Sequence, residues 1–238
     1  MRNPSTLSPS ISSARAVAII VAGGLGSRLK SRVHKPFVRL AGRPMLAWTL
    51  RAFERTPGVR GTVLVTHAGD LNRARALVRR YRCRKVLAVV PGGSTRMESV
   101  ARGLAAAPPE ARWVAVHDCA RPLVAPREIQ AVLRAARASR AAILAVPVVP
   151  TIKQAKNGWV TGTLDRSRLW AVQTPQVFER RLLERAHAKG LAAGVRATDD
   201  SALVERLGVK VRIVPGLGQN IKVTTPEDRI NAETLLKK

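Results

Sequence analysis

Between Ala22 and Phe37 the chain reads "AGGLGSRLKSRVHKPF", with Gly23, Gly24 and Gly26 ahead of Arg28, Lys30, Arg32 and Lys35. Glycines let backbone N–H groups approach phosphate oxygens, and cations offset the charge of those oxygens. The chemistry this spacing suits is the binding of a polyanion, with Arg28 and Lys35 facing a triphosphate. A dinucleotide fingerprint would need glycine at the position of Leu29. A P-loop would need glycine directly before a Lys-Ser or Lys-Thr pair, and neither is present. A Gly-rich connection with ordinary surface bases is the alternative reading of this stretch.

Three further stretches carry chemistry. "VAVHDCARPLV" ends an apolar run in His117 and Asp118. A carboxylate beside bound phosphates suits Mg²⁺, so Asp118 is the candidate metal ligand and His117 reads as structural. Arg121 can meet a phosphate or pair with a nearby acid. "PGGSTRMESV" offers Gly92, Gly93, Ser94, Arg96 and Ser99 at a helix start, a place to seat a base or sugar, or simply a strand-to-helix turn. "NIKV" places Lys222 after a glycine-flanked loop, where it reaches the same edge or serves as a surface charge. No strong general base stands out.

The elements that must position these residues follow from periodicity. Apolar, β-branched runs at 16–22, 61–67, 86–91, 112–118 and 141–148 alternate with amphipathic stretches at 44–56, 70–82, 96–107 and 126–139. This alternation predicts βαβ units: an α/β, single-domain, Rossmann-like fold with a mostly parallel twisted sheet flanked by helices. Open sheets of this kind bind ligands at the carboxyl ends of their strands, which is where the Gly-rich loop and Asp118 fall. The rhythm breaks at 147–173, where short alternating segments flank Asn157-Gly158, a hairpin signal. A projecting β-arm is expected, and Trp159 and Trp170 on it call for a partner surface, hence a homodimer. A hairpin folded back on its own domain is the alternative. Beyond it a helix at 179–189, an acidic segment at 198–208, a strand at 209–216 and a helix opened by Thr225 and Pro226 are expected. Residues 1–15 read as a flexible tail and 16–238 as the one domain.

Composition narrows the classes. Hydrophobic residues make up 46% of the 238, but aromatics only 3%, so the core is aliphatic. The net charge of +27, from 42 Lys and Arg against 15 Asp and Glu, brings phosphorylated substrates and nucleic acid into view. Much of the arginine falls at solvated positions of helical patterns, as in "RARALVRRYRCRK" and "RAARASR". A basic nucleic-acid-binding protein is the rival from another class, although no aromatic stacking platform accompanies the charge. Cys83 and Cys119 lie far apart without metal-ligand spacing and read as reduced thiols of a cytoplasmic protein. No segment is apolar for long enough to span a membrane. The Ser-rich, basic, acid-free start resembles a transit peptide in composition, but with about fifteen residues before the first strand a short flexible tail is the expected reading.

Taken in order, "AGGLGSRL", a Lys-Pro about seven residues on, "GGSTRMESV", "HDCARP", "TLDRSRLWAVQTPQVF", "TDDSALVE" and "NIKVTTPED" resemble the 2-C-methyl-D-erythritol 4-phosphate cytidylyltransferase family from about Ala16 to Leu236. The resemblance implies transfer of CMP from CTP to methylerythritol 4-phosphate, with release of pyrophosphate, in the non-mevalonate isoprenoid pathway. It implies that Arg28, Lys35 and Lys222 are catalytic and neutralise the triphosphate, and that Asp118 binds Mg²⁺. Ala22, Gly23, Gly24, Gly26, Gly93, Ser94 and Ser99 would surround the nucleotide. Thr151, Arg166 and Thr198 would bind methylerythritol phosphate, with Arg121 and Thr174 nearby. Arg166 on the arm would enter the neighbouring subunit's site. Three positions depart from the family pattern: Gly23 stands where Ala is usual, His34 where Pro is usual and Ser94 where an acid is usual. Cytidylyltransferases acting on ribitol 5-phosphate share nearly all these motifs, and "AGGLGSR" also resembles the guanylyltransferase of molybdenum dinucleotide cofactors.

Overall fold

The computed structural model describes residues 16–237 apart from 25, 30, 32 and 196. The expected tail at 1–15 and the loop cations Lys30 and Arg32 therefore lie outside the described residues. In chain order the strands are β1 (Ala16–Ala22), β2 (Arg39–Leu40), β3 (Arg43–Pro44), β4 (Val59–Thr66), β5 (Val86–Pro91), β6 (Trp113–Asp118), β7 (Ala141–Pro147), β8 (Lys153–Lys156), β9 (Trp159–Thr163), β10 (Trp170–Glu179) and β11 (Arg212–Pro215). The α-helices are α1 (Met45–Glu54), α2 (Leu71–Arg80), α3 (Arg96–Ala105), α4 (Pro126–Ser139), α5 (Arg180–Ala192), α6 (Asp200–Glu205) and α7 (Pro226–Lys237).

Seven strands form one sheet in the order β11-β7-β10-β6-β1-β4-β5, parallel except for β10, which runs antiparallel to β6 and β7. Side chains alternate across it with the period of two that a strand imposes. Along β1, Ala16, Ala18, Ile20 and Ala22 join a core with Leu46 and Leu50 of α1, Leu77 of α2 and Ile129 and Leu133 of α4. Val17 and Ile19 pack on the opposite face with Val100 and Leu104 of α3, Leu182 and Leu183 of α5 and Leu203 of α6. Because both faces are covered, β1 is apolar throughout and β6 is apolar up to His117 and Asp118 at its carboxyl end. A third, smaller cluster ties Leu29, Val38 and Leu40 to Val223 and to Ala232 of α7.

The chain order turns at β1: β4 and β5 extend the sheet one way, and β6 returns to β1's other side. Such a reversal opens a crevice at the strands' carboxyl ends. Register sets its floor, with Val21 beside Asp118 and Ala22 beside Thr66.

The region after β7 corrects one expectation. The hairpin is present as β8 and β9. It turns at Asn157 (φ 51°) and Gly158 (φ 83°), the left-handed pair that an Asn-Gly turn supplies. Trp170, however, does not sit on the β8–β9 hairpin. It opens β10 and pairs with Pro147, so residues 170–173 belong to the central sheet. Thr174-Pro175 hides this strand from a reading by alternation, since proline reads as a strand breaker. The strand expected at 209–216 is shorter, and the acidic segment folds partly into α6.

Candidate active site

Two hollows share a wall at the carboxyl edge of the sheet. The first, of about 310 Å³, is lined by Ala22, Gly23, Gly24, Arg28, Lys35, Gly93, Ser94, Arg96, Ser99, Asp118 and Lys222, among others. The second, of about 390 Å³, is lined by Arg121, Gln173, Thr174, Gln176, Thr198 and Asp199 and again by Arg96, Asp118 and Lys222. Those three shared side chains form the partition between the hollows.

Asp118 ends β6 and is held by two cations. Lys222 donates to Oδ2 at 2.7 Å and Arg96 donates through Nε to Oδ1 at 3.2 Å. Burial alone would raise its pKa, but Arg96, Lys222 and the Lys222 hydrogen bond outweigh burial and hold the carboxyl well below the usual range. It is therefore a permanent anion. Arg96 also donates to Asp200 at 2.8 Å, and Asp200 accepts from His187 Nε2 at 2.9 Å. This buried chain fixes α3 against α5 and α6 and aims the Arg96 guanidinium at the partition.

The first hollow is strongly positive. Lys35 holds its proton less tightly than an ordinary lysine, first because it is partly buried, then because Lys222 and Arg28 repel its charge. A turn closed by Leu29 N–H donating to the Gly26 carbonyl at 2.9 Å carries Arg28. Gly26 itself does not line the hollow. Its φ is 81° and a Cβ there would stand 3.0 Å from Lys35 Cβ, so glycine lets the loop fold back onto Lys35. At the start of α3, Thr95 caps the helix by accepting from Glu98 N–H at 3.1 Å, satisfying one of its first amides, and the Glu98 side chain accepts from Ser94 N–H ahead of the helix at 2.9 Å. Ser99 Oγ accepts from Gly93 N–H at 3.1 Å.

In the second hollow Arg121 donates to the Asn220 carbonyl at 2.7 Å and the Val172 carbonyl at 3.1 Å, while its buried Nε has no protein partner among the described residues. Thr174 accepts from Asp118 N–H at 3.1 Å and donates to His117 Nδ1 at 2.9 Å. His117 Nε2 in turn reaches the Arg121 carbonyl at 3.2 Å. His117 is fully buried and pushed down to about 3, chiefly by desolvation, so it serves the fold as a neutral imidazole.

Of the residues picked out from sequence, Thr151 and Arg166 line neither hollow. Both are exposed, and Arg166 donates to the Val149 carbonyl beside the hairpin. Sequence reasoning assigns Asp200 and His187 no role. The acid pair in "TDDSALVE" is the available signal, but only the fold shows that Asp199 caps α6 while Asp200 points to Arg96.

Mg²⁺ bound with nucleotides takes one or two carboxylates plus phosphate oxygens and keeps several waters. The donor set fits that pattern: Asp118 is ionised and faces the partition, and Lys222, with its side chain 46% exposed, is free to turn toward a phosphate.

The family model described as 2-C-methyl-D-erythritol 4-phosphate cytidylyltransferase matches residues 16–238. Proteins of that name from Desulforamulus reducens and Pelotomaculum thermopropionicum are 46% and 45% identical to this chain. The alignments cover 93% and 94% of this chain and 96% and 94% of those proteins. A crystal structure of 4-diphosphocytidyl-2C-methyl-D-erythritol synthase from Anaerococcus prevotii superposes with a TM-score of 0.84 at 31% identity, covering 95% of this chain and 97% of that one. The cytidylyltransferase structure from Thermus thermophilus gives 0.78 at 33%, covering 92% and 98%. With a family model matching residues 16–238 and relatives 45–46% identical over nearly the whole of both chains, this chain belongs to the 2-C-methyl-D-erythritol 4-phosphate cytidylyltransferase family.

Proposed function

We propose that the chain transfers CMP from CTP to 2-C-methyl-D-erythritol 4-phosphate, giving 4-diphosphocytidyl-2-C-methyl-D-erythritol and pyrophosphate. The observation that carries this reading is the partition itself: Arg96, Lys222 and one ionised carboxylate stand between two hollows, with Arg28 and Lys35 on one side and Arg121 on the other. Two polyanions must meet there. A phosphate oxygen of the acceptor attacks the α-phosphorus of CTP as the bond from that phosphorus to the oxygen bridging the β-phosphate breaks, and that oxygen leaves with pyrophosphate. The nucleophile is already an anion, so no general base is needed, and catalysis rests on alignment and charge stabilisation.

Ala22, Gly23, Gly24, Gly93, Ser94 and Ser99 offer the backbone and hydroxyl surface for cytidine, with Gly26 shaping the loop behind them. Arg28, Lys35 and Lys222 neutralise the triphosphate. Asp118 would hold Mg²⁺, which when bound screens phosphate charge. Arg121, Thr174 and Thr198 face the acceptor hollow. Thr151 and Arg166 fit the acceptor role only if the arm of a second copy reaches this hollow. Trp159 and Val160 on β9, 80% and 63% exposed, supply the apolar surface for such a homodimer, since an uncovered apolar patch of this kind marks an interaction site.

A pyrophosphate-release assay tests the reading, using methylerythritol phosphate and Mg²⁺ with each of the four nucleoside triphosphates. Turnover with CTP is expected. Silence with CTP alongside turnover with GTP overturns the nucleotide assignment, and faster turnover with ribitol 5-phosphate overturns the acceptor.

A further inference from the structure

His34 and His67 belong to neither hollow. His34 immediately precedes Lys35. His67 follows the end of β4, where its backbone nitrogen lies 3.9 Å from where a Cβ on Gly23 would stand. Asp70, three residues on, is buried at the start of α2. The potential ligand atoms of His34, His67 and Asp70 all lie within 4.8 Å of one another. His34 Nδ1 is 2.5 Å from Asp70 Oδ2, and the two imidazoles meet edge to face at 5.4 Å between centroids.

We propose that His34, His67 and Asp70 bind one Zn²⁺ or a similar first-row transition-metal ion, clamping the nucleotide loop to the β4–α2 corner. Two imidazoles and one carboxylate are a donor set for zinc and its neighbours rather than for the oxygen-seeking Mg²⁺ of nucleotide chemistry. In a tetrahedral site with bonds of about 2.1 Å, ligand atoms stand about 3.4 Å apart. The widest pair therefore has at most about 1.4 Å to close, and the His34–Asp70 pair about 0.9 Å to open. Both adjustments are open to these side chains, since His67 is exposed and His34 partly so. Three protein ligands leave a fourth position for water. Coordination replaces the hydrogen bond between His34 and Asp70. It also replaces the Gly69 N–H bond to His67 Nδ1, at 3.2 Å and exposed, which water can take over. A second histidine beside an existing His–Asp pair adds little to a simple ion pair but completes a metal triad. The clamp fixes the backbone on which Lys35 stands.

Calorimetric titration of tag-free, full-length protein with Zn²⁺, without nucleotide or phosphate, tests this. The expected result is one ion per chain, visible d–d absorption when Co²⁺ replaces Zn²⁺, and a rise in melting temperature with added Zn²⁺. His67→Ala removes an exposed side chain and the exposed Gly69 N–H bond to it, which water replaces. It is expected to melt normally without metal, to weaken Zn²⁺ binding by about 100-fold or more and to lose the thermal rise. Asp70→Asn is expected to lower affinity in the same assay. Absence of stoichiometric binding to the wild type overturns the proposal, as does binding of equal strength in His67→Ala.

Discussion

Lys35 shows how far one side chain's environment sets its task. Its depressed pKa follows from burial and from facing Lys222 and Arg28, and a triphosphate restores the balance by favouring the charged form. The alkaline limb of kcat/KM for CTP, which reports the free enzyme, is therefore expected below the ordinary lysine value of 10.5. The limb of kcat should lie higher. Lys35→Ala and Arg28→Ala should each lower turnover by about 100-fold or more, with a melting temperature at or above wild type because a repelling charge is gone. Near wild-type rates would remove the loop from the mechanism. His117 makes an opposite kind of contribution. Its folded pKa of about 3 lies below the unfolded value of 6.5, so between these values the unfolded chain binds the extra proton. Stability should fall as pH drops from 6.5 toward 3, by up to about 1.4 kcal/mol per unit. Urea midpoints across that window check it, and replacement of His117 by a residue that does not titrate should flatten the slope.

At the scale of elements, α3 decides how the cleft is built, since it carries Arg96 and Ser99. It can lie close to the sheet because Gly103 faces Ile19 and Val65: a Cβ on Gly103 would stand 2.5 Å from Ile19 Cγ2. Gly103→Ala should push α3 outward, cost about 1–3 kcal/mol by overpacking, and raise KM for CTP through displaced Ser99. Thermal unfolding and steady-state kinetics on the same variant distinguish this from a simple gain in helix propensity, which would raise stability. Much of this level was legible in advance. The five parallel strands and the helices between them followed from unbroken apolar runs alternating with 3.6-period stretches, with boundaries exact or off by at most two residues. Strand β10 was not, because its pairing with β6 and β7 is long-range and its sequence carries a proline.

For the whole molecule, the charge of +27 is largely a surface property. Arg75, Arg79 and Arg80 stand exposed on α2 while Ala74 and Leu77 face the core. Some arginines also cover apolar surface, their stems lying on it while the charged head stays in water. Arg73 lies 4.2 Å over the Phe37 ring, and Arg43 lies 5.3 Å over Trp48. Nucleic-acid binding should therefore be weak and vanish at moderate salt, as titration at two ionic strengths will show. The arm raises a separate expectation. Sedimentation should give twice the 25.7 kDa chain mass, and shortening the β8–β9 hairpin to a tight turn should give monomers with little turnover. A monomeric wild type with full activity would exclude the shared site.

The sequence by itself determined the layered α/β architecture, the Gly-rich loop and the family, because periodicity and ordered motifs are local properties of a chain. Only the tertiary structure decided that Asp118 is clamped between Arg96 and Lys222, that Asp200 and His187 stand behind Arg96, and that His34 meets His67 and Asp70. Each of those groupings joins residues dozens of positions apart. Their distances, and the pKa values that follow from them, exist only once the sheet's strand order brings its carboxyl-end loops together.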